Sequence, residues 1–164
     1  ILLKIRYLFE RRMVMIFEEI LGNVKELENK EKFHIEKVIV KKDDLLKRIM
    51  RVTSDHGHEY GISLEKGKTL SNGDILFNDG HNVVMVQFES NDILVIKPKS
   101  INEMGKIAHE LGNRHLQAQF EDDTMIIEYD SLVEDKLKHD KIDYIREERV
   151  LEKAFRHVEF EHRH

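Results

Sequence analysis

Hydrophobic and polar positions in the first half of the chain alternate over short stretches that are interrupted by turns. The run from Glu36 to Lys41 is rich in β-branched residues and predicts a strand. The segment 43–50 fits either one helical turn or the approach to a strand. Turns rich in Asn, Asp and Gly are predicted at 55–58, 72–74 and 78–80. Further strands are predicted at 51–54, 60–64, 75–77 and 83–86. This half of the chain should therefore form a small β domain.

The second half of the chain combines strand-like runs with helical patterns. A strand at 93–97 precedes Ser100, which is expected to open a helix and to form a capping box with Glu103. The apolar face of this helix contains Ile101, Met104, Ile107, Ala108 and Leu111. Gly112 is expected to end the helix, because glycine readily adopts the left-handed conformation found at helix C-termini.

A second helix is predicted to begin with a capping box between Ser131 and Glu134. The strands that surround the two helices are predicted at 118–120, 125–129 and 144–150. The resulting order, strand–helix–strand–strand–helix–strand, is typical of a ferredoxin-like domain. The predicted fold class is therefore α+β, with a small N-terminal β domain followed by a ferredoxin-like βαββαβ domain.

These patterns divide the chain into four segments. They are an N-terminal extension outside the fold at 1–14, a β-rich domain at 15–90, the ferredoxin-like domain at 91–156 and a flexible histidine-containing tail at 157–164. The extension alternates cationic and apolar residues, and it lacks the continuous apolar run of a signal peptide or a membrane span. Without an export signal or cysteines, the chain is expected in the cytoplasm, with no membrane association.

Composition restricts the chemistry that the chain can perform. It has 27 Lys and Arg against 32 Asp and Glu, and the net charge of −5 argues against a nucleic-acid-binding function. The absence of cysteine excludes disulfides, a thiolate nucleophile, iron–sulfur clusters and cysteine-based zinc sites. Ten histidines are present, so any metal chemistry must use imidazole and carboxylate ligands.

The segment that follows the first predicted helix is the main candidate for chemistry. It reads Gly112-Asn-Arg-His115-Leu, and Ala118-Gln119 comes shortly afterwards. This sequence resembles the metal-binding signature of the UreE family of urease accessory proteins. The resemblance extends through segments at 15–20, 22–23, 51–52, 55–57, 73–76, 119–135 and 154–157. It therefore covers nearly the whole chain from residue 15 onwards.

The resemblance implies a metallochaperone rather than an enzyme. Members of this family are dimers that bind Ni²⁺ and deliver it to apo-urease with the help of an accessory GTPase. By the same resemblance, His115 is the metal ligand, the C-terminal domain forms the homodimer, and the β domain binds a protein partner. If the dimer has two-fold symmetry, one His115 from each subunit can contribute to a shared site. Imidazole ligands also bind Zn²⁺ and Cu²⁺, so both ions could bind in vitro.

Other histidines are weaker candidates. In the tail, His162 and His164 could both reach a metal ion that the two His115 rings already hold, and His157 could join them. The alternative for this tail is the remnant of an affinity tag. The pair His56 and His58 lies in a predicted turn, where the directions of the two rings cannot be predicted.

Two rival functions are compatible with parts of the sequence. A metal-dependent hydrolase would need three ligands from one subunit and a general base, whereas the sequence offers one convincing ligand, His115. A metal-independent dimeric interaction module would need no ligand at all. In that case, His115 would be a capping or surface histidine.

Overall fold

A computed structural model describes residues 14–155 of the chain. Within these residues, the contacts divide the protein into two compact units. The first unit extends to Glu89 and also contains Val150–Ala154, and the second contains Ser90–Arg149. No helix within the described residues is long and apolar enough to cross a membrane.

The first unit consists of seven strands among the described residues, arranged in two sheets. The strands are β1 (Met15–Phe17), β2 (Gly22–Asn23), β3 (His34–Val40), β4 (Ile49–Thr53), β5 (Glu59–Ser63), β6 (Asp74–Asn78) and β7 (Asn82–Phe88). One sheet has the order β1-β5-β4, and the other has the order β2-β6-β7-β3. The ambiguous segment 43–50 contains both expected features, because a 3₁₀ turn at Lys42–Asp44 is followed by the start of β4.

Strand β3 shows how the sequence pattern produces the core of this unit. Its residues alternate between the two faces of the sheet, as the two-residue period of a strand requires. Val38 and Val40 are almost completely buried, and they belong to one apolar cluster with Val86 and Phe88 of β7. Glu36 lies on the same face of β3 and is also buried, with 8% exposure. It is therefore a charged residue at the edge of an apolar core.

The second unit contains four strands and two α-helices among the described residues. They are β8 (Asn91–Lys97), α1 (Ile101–Asn113), β9 (Ala118–Glu121), β10 (Thr124–Glu128), α2 (Ser131–His139) and β11 (Asp143–Arg149). The strands form one sheet with the order β11-β8-β10-β9, in which all neighbours are antiparallel. The predicted α+β class and the predicted order of these elements are therefore both present.

The helices of the second unit pack against one face of its sheet. Helix α1 contributes Ile107 and Leu111, and α2 contributes Val133 and Leu137, to a core that includes buried side chains of β8 and β10. Ile101 was expected on the apolar face of α1, but it is 93% exposed and lies outside this core. The first residue of the helix therefore presents an apolar side chain to solvent.

The start of α1 agrees with the sequence prediction. Ser100 is the N-cap, and its Oγ accepts a hydrogen bond from the Glu103 backbone N–H at 3.1 Å. Glu103 reaches back one residue further than expected, because its carboxylate accepts from the backbone N–H of Lys99 at 2.6 Å. Both side chains thus bind backbone N–H groups that have no partner within the helix.

The predicted capping box of α2 is wrong. Ser131 is the first residue of the helix, and Asp130 is the N-cap. The Asp130 carboxylate accepts hydrogen bonds from the backbone N–H groups of Leu132 and Val133, at 2.8 and 3.0 Å. Aspartate is among the most favourable N-cap residues, and its negative charge also interacts favourably with the helix dipole.

Candidate functional site

His115 lies directly after the C-terminus of α1, and the prediction that Gly112 ends this helix is wrong. The helix continues through Asn113, and His115 has the left-handed conformation with φ of 57°. The His115 N–H donates to the Gly112 carbonyl at 2.9 Å, and the Leu116 N–H donates to the Leu111 carbonyl at 3.2 Å. These two bonds define a Schellman motif, in which His115 occupies the position that glycine usually takes.

The conformation of His115 has an energetic cost that a glycine would not have. For an L-residue with a side chain, the left-handed region costs about 1–2 kcal/mol. The His115 side chain is exposed, and no side chain among residues 14–155 forms a hydrogen bond or an ion pair with its ring. The C-terminal motif thus fixes the backbone of His115 while both ring nitrogens remain available to a ligand.

An apolar groove lies beside the end of α1. It is lined by Ala108, Leu111, Gly112, Leu116, Ala118, Phe120 and Met125. These residues come from both sides of His115 in the sequence, and they continue into β9 and β10. Phe120 is 51% exposed although it is large and apolar. Because β9 is an edge strand of its sheet, this apolar surface adjoins an open edge.

Other histidines of the second unit are placed differently. His109 is exposed, and its Nε2 lies 3.3 Å from Asn113 Nδ2 in the same helix. His139 is also exposed, and its Nδ1 lies 2.9 Å from the carboxylate of Asp140. The sequence-predicted ligands His157, His162 and His164 all lie outside the described residues.

No complete metal site exists among the described residues of a single chain. Between residues 14 and 155, no group of three or more His, Asp or Glu side chains is arranged to hold a metal ion. The exposed His115 can therefore supply one ligand, and a metal site around it would require further ligands from elsewhere.

A histidine cluster in the first unit had no clear sequence signal. The rings of His34 and His56 have centroids 5.0 Å apart, and those of His56 and His58 are 6.4 Å apart with an interplanar angle of 15°. His34 stood out neither by motif nor by spacing, because it lies more than twenty residues away from the other two. The turn at 55–58 places His56 and His58 beside β3, where the Asp55 N–H donates to the Lys37 carbonyl and the Asp55 carboxylate accepts from the Lys37 N–H.

The carboxylates in this cluster are stabilised in their charged form. Burial would raise the pKa of Glu36, but hydrogen bonds from Ser54, His58 and Tyr60 outweigh this effect and lower it. The backbone N–H of Lys37, together with His56, lowers the pKa of Asp55. Burial and the adjacent Glu36 raise the pKa of Tyr60 to about 12, so its hydroxyl remains a donor near neutral pH.

Comparison with known proteins relates both units to one family. Residues 17–89 match the family described as the UreE urease accessory protein, N-terminal domain, and residues 91–164 match its C-terminal domain. The urease accessory protein UreE of Staphylococcus carnosus is 54% identical over 149 residues, covering 90% of this chain and 99% of that protein. The protein of the same name from Staphylococcus aureus strain Newman is 53% identical with the same coverage.

These matches define a two-domain accessory protein of an enzyme system rather than an enzyme. The chain belongs to the UreE family of urease accessory proteins. The resemblance of the sequence to this family is thereby confirmed. As a member of this family, the protein is a chaperone of urease metallocentre assembly, and the hydrolase alternative is wrong.

Proposed function

We propose that this protein binds Ni²⁺ at a dimer-interface site built around His115 and delivers the ion to apo-urease in the cytoplasm. The observation that carries the proposal is the exposed His115, which has a defined backbone conformation and no side-chain partner among residues 14–155. Its position after a helix C-terminus supports this role, since the C-terminal hydrogen bonds orient the residue without using its ring.

In a homodimer, one ligand from each chain would give a shared site with two protein ligands. In a two-fold symmetric dimer, residues near the axis meet their own copies, so two His115 rings could bind the same ion. The groove lined by Leu116 and Phe120 supplies apolar surface next to His115 that a second copy could cover. Burial of this surface would make dimer formation and metal binding depend on the same part of the domain.

The finer assignments of fold and domains belong to the same proposal. We infer that the second unit is a ferredoxin-like domain, because its two helices cover one face of an antiparallel sheet with the order β11-β8-β10-β9. The domain at 91–156 would carry the metal site and the dimer interface. The domain at 15–90 would bind a partner in the urease assembly complex, which includes the accessory GTPase.

The remaining ligands would come from the tail. His157, His162 and His164 follow the second domain in sequence, and they could complete the coordination of an ion that two His115 rings hold. A site made only of imidazoles and water can also release its ion, because each imidazole ligand must compete with protons and water. Such ligands suit Ni²⁺ as well as Cu²⁺ and Zn²⁺, so the choice of nickel rests on the family.

The proposal is tested by equilibrium dialysis of untagged protein with Ni²⁺. We expect the variant His115→Gly to lose the tightest class of site, about one ion per dimer, while circular dichroism and dimer mass remain unchanged. Glycine is the appropriate replacement, because it removes the ring and accepts the left-handed backbone. The variant His139→Gln is the matched control, since His139 is another exposed histidine at the end of a helix in the same domain.

Unchanged binding of the tightest ion by a folded His115→Gly dimer would contradict the metal site. The metal-independent interaction module would then be the better description. A second dialysis uses protein that ends at residue 156 and distinguishes the contribution of the tail from that of His115. We expect the shortened protein to bind Ni²⁺ more weakly but still to bind it.

A further inference from the structure

The histidine cluster of the first domain is associated with two carboxylates. Two of its three rings are paired with carboxylates through the same nitrogen. His56 Nδ1 lies 2.7 Å from Asp55 Oδ1, and His58 Nδ1 lies 2.8 Å from Glu36 Oε1. Because a carboxylate accepts a hydrogen, each Nδ1 carries the proton and each Nε2 of the neutral ring has a free lone pair.

This pairing is the arrangement that supports metal-binding histidines in proteins. A carboxylate that accepts from one ring nitrogen fixes the tautomer and the ring orientation, and it makes the other nitrogen more basic. The two carboxylates also give the cluster negative charge, which favours a cation. Asp55 and Glu36 are therefore placed as supporting groups for His56 and His58, rather than as direct ligands.

The supporting groups are themselves held in place. Glu36 is only 8% exposed, and its Oε1 also accepts from the Tyr60 hydroxyl at 3.1 Å. The Asp55 carboxylate accepts from the Lys37 N–H at 2.9 Å, and the Asp55 N–H donates to the Lys37 carbonyl at 2.8 Å. The turn with His56 is thus fixed to β3, and the cluster depends on a rigid part of the domain.

The ring spacings are those of side chains that can share an ion. Two imidazoles that bind one ion, each with a metal–nitrogen distance of about 2.0–2.1 Å, have ring centres about 5–6 Å apart. The separations of 5.0 Å for His34 and His56 and 6.4 Å for His56 and His58 lie close to this range. His56 is the ring that both pairs share.

We propose that His34, His56 and His58 bind one divalent transition-metal ion through Nε2 atoms, with His56 as the common ligand. Among residues 14–155, no group of three His, Asp or Glu side chains is arranged to hold a metal ion, so the His34 ring must turn when the ion binds, while His56 and His58 keep their carboxylate partners. His34 is exposed, and no side chain among residues 14–155 forms a hydrogen bond with its ring. The necessary reorientation makes this a weaker site than one formed in advance.

This inference does not rest on the proposed role of His115, because the two groups of residues belong to different domains. The test uses the full, untagged chain carrying His115→Gly, titrated with Ni²⁺ and observed by NMR of the histidine rings. We expect the paramagnetic ion to broaden the resonances of His34, His56 and His58 in this variant and in the parent protein. The resonance of His139, an exposed histidine of the second domain whose Nδ1 also lies beside a carboxylate, should broaden less at equal Ni²⁺.

Two further variants identify the ligand and its support. His56→Gln should abolish the selective broadening of His34 and His58, while the control His139→Gln should leave it unchanged. Asp55→Asn retains an oxygen for the Lys37 N–H but removes the charge beside His56, and it should weaken Ni²⁺ binding about 10-fold or more. If His56→Gln fails to fold, Asp55→Asn still tests the proposed site.

The results that overturn the proposal are specific. They are uniform broadening of all exposed histidines, broadening that persists in folded His56→Gln, or unchanged Ni²⁺ affinity in Asp55→Asn. Tight Ni²⁺ binding that is unchanged in His115→Gly, together with selective broadening of this cluster, would contradict only the earlier proposal, so the two failures remain distinguishable.

Discussion

At the scale of single residues, His115 combines an unfavourable backbone conformation with an available side chain. Glycine is common at the corresponding position of helix C-termini, because it has no Cβ that conflicts with the left-handed region. A histidine at this position lowers the stability of the fold, so a role other than folding would explain its presence. Strain of this kind often marks functional sites in proteins, and it is consistent with a ring whose placement matters more than its contribution to folding.

Glycine should therefore have opposite effects at two histidines of the same segment. We expect His115→Gly to raise the free energy of unfolding by up to about 1 kcal/mol, because it relieves the left-handed backbone. His109→Gly lies inside α1 and should lower it by about 1 kcal/mol. Urea denaturation followed by circular dichroism measures both values. Destabilisation by His115→Gly would contradict the assigned role of its backbone.

The sequence predicted His115 as the residue to consider, but not its conformation. Gly112 looks like the natural end of α1, and no local pattern indicates that the helix continues past a glycine to Asn113. Core packing decides the boundary, since Leu111 and Leu116 both join the apolar core and close the motif around His115. The ligand role of His115 and of the tail histidines remains a prediction.

At the scale of secondary structure, the two helices begin with different caps. In α1 the serine expected from the sequence is the N-cap, whereas in α2 the residue before the expected serine has this role. The sequence Asp130-Ser131 offers two adjacent residues that can cap a helix, and both choices fit the pattern equally well. The charged Asp130 carboxylate accepts hydrogen bonds from two backbone N–H groups, which explains why Asp130 rather than Ser131 is the N-cap.

The corrected cap of α2 predicts a difference between two neighbouring alanine variants. Asp130→Ala should lower the free energy of unfolding by about 1 kcal/mol, because it leaves two N–H groups without their acceptor. Ser131→Ala should change it by no more than about 0.5 kcal/mol, since alanine is a better helix former. Ser100→Ala is a positive control for α1. Equal losses at Asp130 and Ser131 in urea denaturation would contradict this assignment.

At the scale of the whole molecule, the second domain leaves an apolar surface open beside an edge strand. Phe120 lies on β9, and the groove that it lines begins at the end of α1. Exposed apolar surface of this kind commonly marks a protein interface. In the proposed dimer, this surface would be covered while two His115 rings approach each other.

Placing a charge in this groove should therefore weaken both dimer formation and nickel binding. We expect Phe120→Asp to raise the dimer dissociation constant about 10- to 100-fold, which corresponds to the roughly 1.5–3 kcal/mol of a buried phenylalanine. Sedimentation velocity measures the dimer, and dialysis measures Ni²⁺. Leu132→Asp is the control, because Leu132 is 69% exposed on α2 and does not line the groove. An unchanged dimer in Phe120→Asp would exclude this surface as the interface.

Local pattern predicted much of the architecture, and its errors have a common physical origin. Alternation indicated β3, which buries one face, and a continuous apolar run indicated β8, whose residues 93–96 are buried on both faces. Contacts between residues distant in sequence were not predictable in this way. The approach of His34 to the turn at 55–58 depends on contacts between β3 and this turn, such as the hydrogen bonds between Lys37 and Asp55, and no short motif encodes it.

The return of the chain to the first domain at Val150–Ala154 has a consequence for biosynthesis. Ala154 belongs to the core of that domain, and the Glu152 carbonyl accepts a hydrogen bond from the Asn72 N–H at 2.8 Å. A ribosome that has produced only the first 89 residues has not yet supplied these contacts. The β domain should thus acquire its full stability only after the sequence of its neighbour has been translated.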